Sequence, residues 1–501
     1  MSKLTKIEQA IVEDKLSGMS DIEIGKKYKI TYRQLENILR KATGLSISSL
    51  KKEKKLKKLA PKDFKEETTT VWSFKSRGDW ATHSGEYRGN WSPYIPRNVI
   101  LKYSKPGELV LDYFCGAGTT AVEAKLLGRR CIAFDINEKA IELAKKNVDF
   151  KIPSNEPLII YEPELFVGDA RDLSFLEDNS VDLICAHPPY ADIIHYTDHK
   201  EGDLSFLSIK DFLKEMKKVA HESFRVLKPG RQCAILIGDM RRHKHVVPLG
   251  FKLINVYLDA GFKLKELVIK RQHNCKTTGF WYKNSIKYNF LLLAHEYLPI
   301  FEKPFYKPTY VTEQPALYQE LSILSKKEPF KGKIRELETT TVWIFPEDRF
   351  QLSLEKNIIE RYAPSGKYTL IELTLKDNGK QCVTRQPLDT LELLFIKSSC
   401  LEFKELGYEF VDSYIKCLKT FVTNTIRSIK KDGYCVIQTN DIRVSGYVEP
   451  MAKYIVDIFE NNLSELSLKE IVVISKENHK VHKLSDNLEI THHYLLVYRR
   501  L

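Results

Sequence analysis

Four consecutive residues, His187-Pro188-Pro189-Tyr190, follow the apolar run Val181–Ala186. Two prolines fix the backbone, so carbonyl oxygens and the His187 side chain converge on one point beside an aromatic ring. That arrangement suits a planar ring bearing an amino group. The ring stacks on Tyr190, acceptors hold the amino hydrogens, and the nitrogen lone pair is presented to an activated carbon. A neutral imidazole offers one acceptor nitrogen, whereas a protonated one offers donors only. A rate that depends on His187 is therefore expected to fall as pH drops through about 6.5, the ordinary imidazole range.

A second group of residues stands upstream. Leu109-Val-Leu-Asp-Tyr-Phe-Cys-Gly-Ala-Gly-Thr-Thr120 reads as strand, glycine-rich turn and helix. Gly116 and Gly118 would let the backbone approach a ligand where a Cβ collides, and the following helix N-terminus offers amides to it. Asp135 ends the next strand, placed to hold two ribose hydroxyls. Asp169 ends a third, in Val167-Gly-Asp-Ala170, where an adenine amino group could be read. The loop lacks the full GxGxxG spacing of a dinucleotide site.

Such residues need a scaffold that brings strand ends together. From Glu67 onward short apolar strands alternate with amphipathic helices, which implies an α/β fold with a parallel sheet. Strands are expected at 109–113, 131–135, 165–168, 181–186, 233–237, 263–269 and 290–294, and helices at 119–127, 138–147, 209–225 and 248–260.

The sequence also repeats itself. Glu67-Thr-Thr-Thr-Val-Trp-Ser-Phe74 recurs as Glu338-Thr-Thr-Thr-Val-Trp-Ile-Phe345, and Asn98-Val-Ile-Leu-Lys-Tyr103 as Asn357-Ile-Ile-Glu-Arg-Tyr362. Cys233-Ala-Ile through Gly-Asp239-Met-Arg241 parallels Cys435-Val-Ile through Asn-Asp441-Ile-Arg443, and Pro248 matches Pro450. Residues 338–501 therefore read as a second, shortened copy of the domain at 67–303, joined to it by a linker at 304–337. The copy has Ile371-Glu-Leu-Thr-Leu375 in place of the glycine loop and Ile396-Lys-Ser-Ser-Cys400 in place of Pro-Pro-Tyr. It is expected to be catalytically silent, serving as a clamp on a ligand or as a built-in partner subunit.

Residues 1–48 read as short helices. Ile7, Ala10, Ile11 and Leu16 suit one apolar face, Ser20-Asp-Ile-Glu23 resembles a capping box, and Thr31 caps a helix with Leu35, Ile38 and Leu39. The pattern resembles a helix-turn-helix that would present Tyr32, Arg33, Gln34, Asn37 and Arg40 to a groove. A lysine-rich linker spans 49–66. The formal charge of +13 suits a polyanionic partner. Basic residues recur in Arg241-Arg-His-Lys-His245 and, interleaved with aromatics, from Lys270 to Lys283.

At 501 residues the chain exceeds one ordinary core. With 43% apolar and 11% aromatic residues it is a folding chain and not a disordered one. Nine cysteines are scattered singly, without CxxC pairs or zinc-like His spacing, so reduced thiols are expected and no metal site. No apolar run approaches the roughly 20 residues that span a bilayer, and the start lacks a signal core. A soluble, cytoplasmic protein without a membrane partner is expected.

Taken together, the glycine loop, the acidic strand ends and Pro-Pro-Tyr resemble the amino-group DNA methyltransferases, over residues 67–303. The family carries Asp, Asn or Ser before Pro-Pro-Tyr, so His187 is a departure. The resemblance implies a Rossmann-like class I methyltransferase sheet, S-adenosylmethionine as cofactor, and transfer of its methyl group to adenine N6 or cytosine N4 of DNA. It implies a base flipped out of the duplex beside Tyr190. Asp112, Phe114, Gly116, Gly118, Thr119, Asp135 and Asp169 would hold the cofactor, and His187, Pro188, Pro189 and Tyr190 the base. Tyr87-Arg-Gly-Asn-Trp-Ser-Pro-Tyr-Ile-Pro-Arg97 looks like the family element that closes over the methionine end, which adds Asn90 and Pro93. A cognate restriction endonuclease is an implied partner. An RNA guanine-amino methyltransferase and a non-catalytic DNA-binding protein are the alternatives, and adenine and cytosine are not distinguished.

Overall fold

A computed structural model describes the chain apart from residues 1–4, 18, 20, 32–33, 36–37, 39–57, 86, 88, 153–158, 195, 198–199, 274–283, 306–319, 327–336, 377–389, 399–407 and 478–485. The chain divides into two compact units, Met1–Leu59 with Trp80–Thr82, and Ala60–Asp79 with His83–Leu501.

In the smaller unit, the helix Lys6–Leu16 opens on a capping box between Thr5 and Glu8, and a second helix spans Asp21–Tyr28. Ile11, Ile24 and Leu35 are buried together. Thr31 and Gln34 exchange backbone and side-chain hydrogen bonds, as a helix start requires. Ile7, expected on the apolar face, is 66% exposed. Tyr32, Arg33, Asn37 and Arg40, the Ser20 cap and most of the lysine run lie outside the described residues, so the groove-reading surface is not seen.

The larger unit builds two sheets. The first is made from β1 (Val71–Ser73), β2 (Leu109–Asp112), β3 (Arg130–Asp135), β4 (Glu164–Val167), β5 (Val181–Ala186), β6 (Leu227–Ile235), β7 (Ile237–Gly238), β10 (Lys263–Arg271) and β11 (His295–Glu302), with β8 (Met240–Arg242) and β9 (His245–Val247) as a separate ribbon. Its order is β1-β10-β11-β6-β5-β2-β3-β4, with β7 beside β11. β11 is antiparallel to both neighbours, and the pairs among β2 to β6 are parallel.

Every residue of β5 is buried, which is why its sequence reads as a continuous apolar run. Flanking helices follow the 3.6-residue period: Ile209–Val226 buries Phe212, Met216, Val219, Ala220, Ser223 and Val226. β2 lies between β3 and β5, where the strand order reverses. The carboxyl ends of these three strands therefore open one crevice.

The expected strand at 290–294 is a correction: the strand begins at His295. The apolar run Phe290 to Ala294 is instead used against the second sheet, where Leu291 is fully buried and Leu292 bridges Thr340. Hydrophobicity reports burial, and burial alone does not say which backbone is the partner.

The second sheet comprises β12 (Glu320–Lys326), β13 (Val342–Phe345), β14 (Tyr368–Lys376), β15 (Leu391–Ser398), β16 (Ile429–Thr439), β19 (Leu466–Lys476) and β20 (His492–Arg500), with β17 (Ile442–Val444) and β18 (Tyr447–Glu449) as a ribbon. Its order, β12-β14-β15-β16-β20-β19-β13, repeats the first from β2 to β1. β12 differs in running antiparallel to β14, where β3 is parallel to β2. Register matches the copies residue by residue. Cys233 faces Ile184 and Phe301 just as Cys435 faces Leu394 and Tyr498.

The two lobes meet through a pseudo-two-fold joint. Arg241 of the first pairs with Glu470 of the second at 2.5 Å, and Arg443 of the second pairs with Glu266 of the first at 2.6 Å. Each glutamate also accepts a backbone N–H, Glu470 from Leu291 and Glu266 from Leu488. Thr341 of the second lobe binds His295 at 2.8 Å, and Thr70 of the first binds His492 at 2.8 Å. Both glutamate side chains are fully buried, so loss of either arginine would strand a charge in the core.

Candidate active site

The crevice holds two adjoining cavities. The first lies under the glycine loop and is lined by Phe114, Gly116, Asp135, Asp169, Asn90 and His187, with Tyr87, Trp91 and Tyr196 among the other walls. Gly116 and Gly118 adopt φ of +49° and +79°, a left-handed turn that side chains disfavour. The turn aims the Gly116 N–H at Asp135 Oδ2 (3.0 Å), while Oδ1 accepts from Asn137 N–H (2.9 Å). Burial pushes the Asp135 carboxyl up to about 6, against the lowering effect of those two amides. A buried carboxylate of this kind is stabilised by further hydrogen-bond donors. The ribose hydroxyls of S-adenosylmethionine are such donors, so the cavity fits that cofactor.

Not every expected residue reaches the cavity. Gly118 caps the helix Thr119–Leu126, and a Cβ there would lie 3.0 Å from Ala144 Cβ, so its bareness serves helix packing. Thr119 donates its hydroxyl to Asn90 Oδ1 at 2.5 Å and holds the loop to the upstream element. Asp112 is buried beneath the turn, accepts the Phe114 N–H at 3.1 Å, and is pushed by burial up to about 7. Pro93 caps the helix Tyr94–Tyr103, and Pro188 is buried and lines neither cavity, whereas Pro189 lines the first. Asp169 lines the cavity while bound through both oxygens to Arg171.

The second cavity, about 480 Å³, is lined by Tyr190, Trp91, Phe74, Lys270 and Glu296, and it shares Asn90 and His187 with the first. His187 lies against Trp91 at 5.5 Å between ring centres, with 22° between planes, and meets Tyr190 edge-on at 5.4 Å. Tyr190 lies over Gly238, where a Cβ would come within 2.8 Å of the ring. Burial depresses the His187 imidazole to about 4, opposed by Glu296 and reinforced by Lys270 and Arg77. This corrects the pH expectation: the neutral, accepting form persists far below 6.5.

The structure adds Trp91, Tyr87, Tyr196 and Glu296 to the site, and turns Lys270, the first residue of the basic segment, into the cavity. Trp91 and Tyr87 sit inside the Tyr87–Arg97 stretch, two residues either side of Gly89. Glu296 is a charge at the start of the otherwise apolar stretch Tyr297–Phe301, which is a signal of its own, whereas Lys270 shares its strand with Lys263, Lys265, Glu266 and Arg271 and carries none.

Comparison with known proteins gives the same direction. A sequence model described as DNA methylase matches residues 22–146 and 181–402, and one described as methyltransferase domain matches 111–235. A tRNA (guanine(10)-N2)-dimethyltransferase of Methanothermobacter thermautotrophicus is 35% identical over 105 residues, 21% of this chain and 29% of that protein. The Type II methyltransferase M2.DpnII of Streptococcus pneumoniae is 32% identical over 85 residues, 17% of this chain and 32% of that protein. The chain thus spans about a third of the length of these relatives. Among solved structures, a SAM-dependent methyltransferase of Methanosarcina mazei covers 42% of this chain and 98% of its own, at 19% identity and a TM-score of 0.29. The sheet order carries the fold. With the DNA methylase match extending over more than half its length, the chain belongs to the N6/N4 DNA methylase family, whose fold and cofactor are those of S-adenosylmethionine-dependent methyltransferases.

Proposed function

We propose that this chain is a DNA methyltransferase that transfers the methyl group of S-adenosylmethionine to the exocyclic amino nitrogen of adenine (N6) or cytosine (N4). The observation that carries this reading is the shared wall: Asn90, Trp91 and His187 line both the glycine-loop cavity and the cavity of Tyr190. When bound, the cofactor supplies an electrophilic sulfonium methyl. Asp135 and the Gly116 turn hold the ribose end, and Asn90, tied to Thr119, stands at the junction. A base flipped from the duplex enters beside Tyr190. His187 accepts one amino hydrogen, which directs the nitrogen lone pair toward the first cavity. Positioning supplies most of the rate, since the nitrogen sheds its proton only after attack.

The remaining roles follow the same reading. Residues 67–303 form the catalytic domain, and residues 338–501 a silent copy. The N-terminal helices contact the DNA backbone, whereas Arg241, expected in a basic cluster on that surface, is held in the inter-lobe joint by Glu470 and Lys270 is held by Glu296; a restriction endonuclease is the partner class that such an enzyme serves. A second reading, methylation of a guanine amino group in RNA, is favoured by the likeness to the tRNA dimethyltransferase.

The test is to express the chain in a methylation-free host and sequence the host DNA for modified bases, with labelled-methyl incorporation into tRNA measured in parallel. Modified adenine or cytosine supports the first reading, and label in tRNA alone replaces it with the second. No binding of S-adenosylmethionine by calorimetry, together with no transfer to either, would leave a non-catalytic DNA binder.

A further inference from the structure

Four polar side chains at the second cavity form a hydrogen-bonded chain, of which the proposed reaction uses His187 and Tyr190 and leaves Lys270 and Glu296 without a part. Lys270 donates to Glu296 Oε2 at 2.8 Å, the Tyr190 hydroxyl donates to Glu296 Oε1 at 2.8 Å, and the same hydroxyl lies 2.9 Å from His187 Nε2. Glu296 is only 7% exposed. Burial raises its pKa, but Lys270, His187 and the Tyr190 hydroxyl outweigh that and hold it below the ordinary range, hence ionised.

A tyrosine hydroxyl has one proton. It goes to the carboxylate, because a hydrogen bond to an ionised acceptor is the stronger one. The tyrosine oxygen can then only accept from His187, so Nε2 carries the imidazole hydrogen and Nδ1 keeps its lone pair. No described residue hydrogen-bonds Nδ1, and the ring is held against Trp91. We propose that Lys270 and Glu296 are a positioning pair that acts through Tyr190 to lock His187 in its Nε2–H tautomer, leaving Nδ1 as the acceptor for the target amino group. This rests on the reading that His187 contacts the base.

The silent lobe provides an independent control inside the same chain. By strand register, Lys270 corresponds to Ile474, Glu296 to His493 and His187 to Lys397. The buried framework is kept at matched positions: Glu266 and Glu470, His295 and His492, Tyr297 and Tyr494. Asp239 and Asp441 likewise both accept from the matched tyrosines. A pair needed for folding would have stayed with that framework. This pair was lost together with His-Pro-Pro-Tyr.

In Glu296→Gln the amide would turn its NH2 away from the Lys270 ammonium and toward Tyr190, reversing the chain and moving the imidazole hydrogen to Nδ1. With cofactor and DNA saturating, kcat is expected to fall about 100-fold, the loss typical of one aimed hydrogen bond, with cofactor affinity by calorimetry unchanged. His187→Asn supplies a carbonyl acceptor that has no tautomer. In that background E296Q is expected to change kcat less than about threefold. Nitrogen-15 NMR of the histidine-labelled full chain, with the His187 signal identified by its absence in H187N, should report Nε2–H in the wild type and Nδ1–H in E296Q. Lys270→Gln, milder for folding, should shift the same signal part of the way. An unchanged tautomer in both variants, or an equal loss of kcat with and without H187N, overturns the proposal. If the wild type methylates no nucleic acid, the proposed function fails, while the NMR readout still decides the tautomer claim.

Discussion

In the first lobe β2 stops at Asp112 and the chain turns through Gly116 and Gly118 into a helix, whereas in the second the matching β14 runs unbroken to Lys376. Asp112 corresponds in register to Leu370, and where His187 points a neutral ring at the crevice, Lys397 is tied to Glu355 and Glu372. Gly238, which makes room for Tyr190, corresponds to Asn440. Against these losses, the arginine–glutamate joint is present in both directions. The difference separates two kinds of residue that look alike by burial. Those shared by both lobes hold the frame, and those found only in the first belong to the pocket.

That comparison can be broken at several points. The largest effect is expected at the joint, where R241A and R443A each leave a buried glutamate unpaired, a cost of about 3–5 kcal/mol. Denaturant unfolding of the full chain should show similar losses for both, and a large inequality would mean that the pseudo-symmetry is geometric only. Next, H187A should lower kcat about 100-fold, a difference of about 2.7 kcal/mol, while K397M, its counterpart, leaves kcat unchanged. A matching drop in K397M would assign the second lobe a part in catalysis.

Smaller still, Gly238→Ala should lower kcat about tenfold by pressing a methyl group against Tyr190, and Asn440→Ala should not. The smallest effect is with pH. His187 faces Glu296, Lys270 and Arg77, and its pKa is held near 4. The neutral form is the working one, so the rate at saturating cofactor should stay level from pH 8 to about 5.5 and fall only toward 4. Cofactor affinity should weaken earlier, as Asp135 takes up a proton near 6. A rate profile that drops at 6.5 instead would show His187 to be solvated in the working enzyme.

Much of this was legible in the residues alone. Strand, glycine turn and helix at Leu109 to Thr120, the acidic end of β3 and the rigid His187-Pro-Pro-Tyr190 corner are local patterns, and local backbone chemistry dictates them. The repeat was legible because Glu67-Thr-Thr-Thr-Val-Trp and its echo at Glu338 both build β-strand edges at the same place in each sheet. The fate of Phe290 to Ala294 was not, since an apolar segment does not name the surface that covers it. Nor was the basicity of His187, which depends on how deeply the fold encloses it.

Sequence by itself determined which elements form, which strand ends carry acids and glycines, and that a second, emptied copy follows. Only the tertiary structure decided that Glu296 stands against Tyr190, 106 residues away along the chain, and that each lobe supplies the arginine that neutralises a glutamate buried in the other. The physical reason is range. Turns and helices are set by neighbours within a few residues, whereas a hydrogen bond across a sheet exists only once the register of β10, β11 and β6 has been fixed by the packing of the whole core.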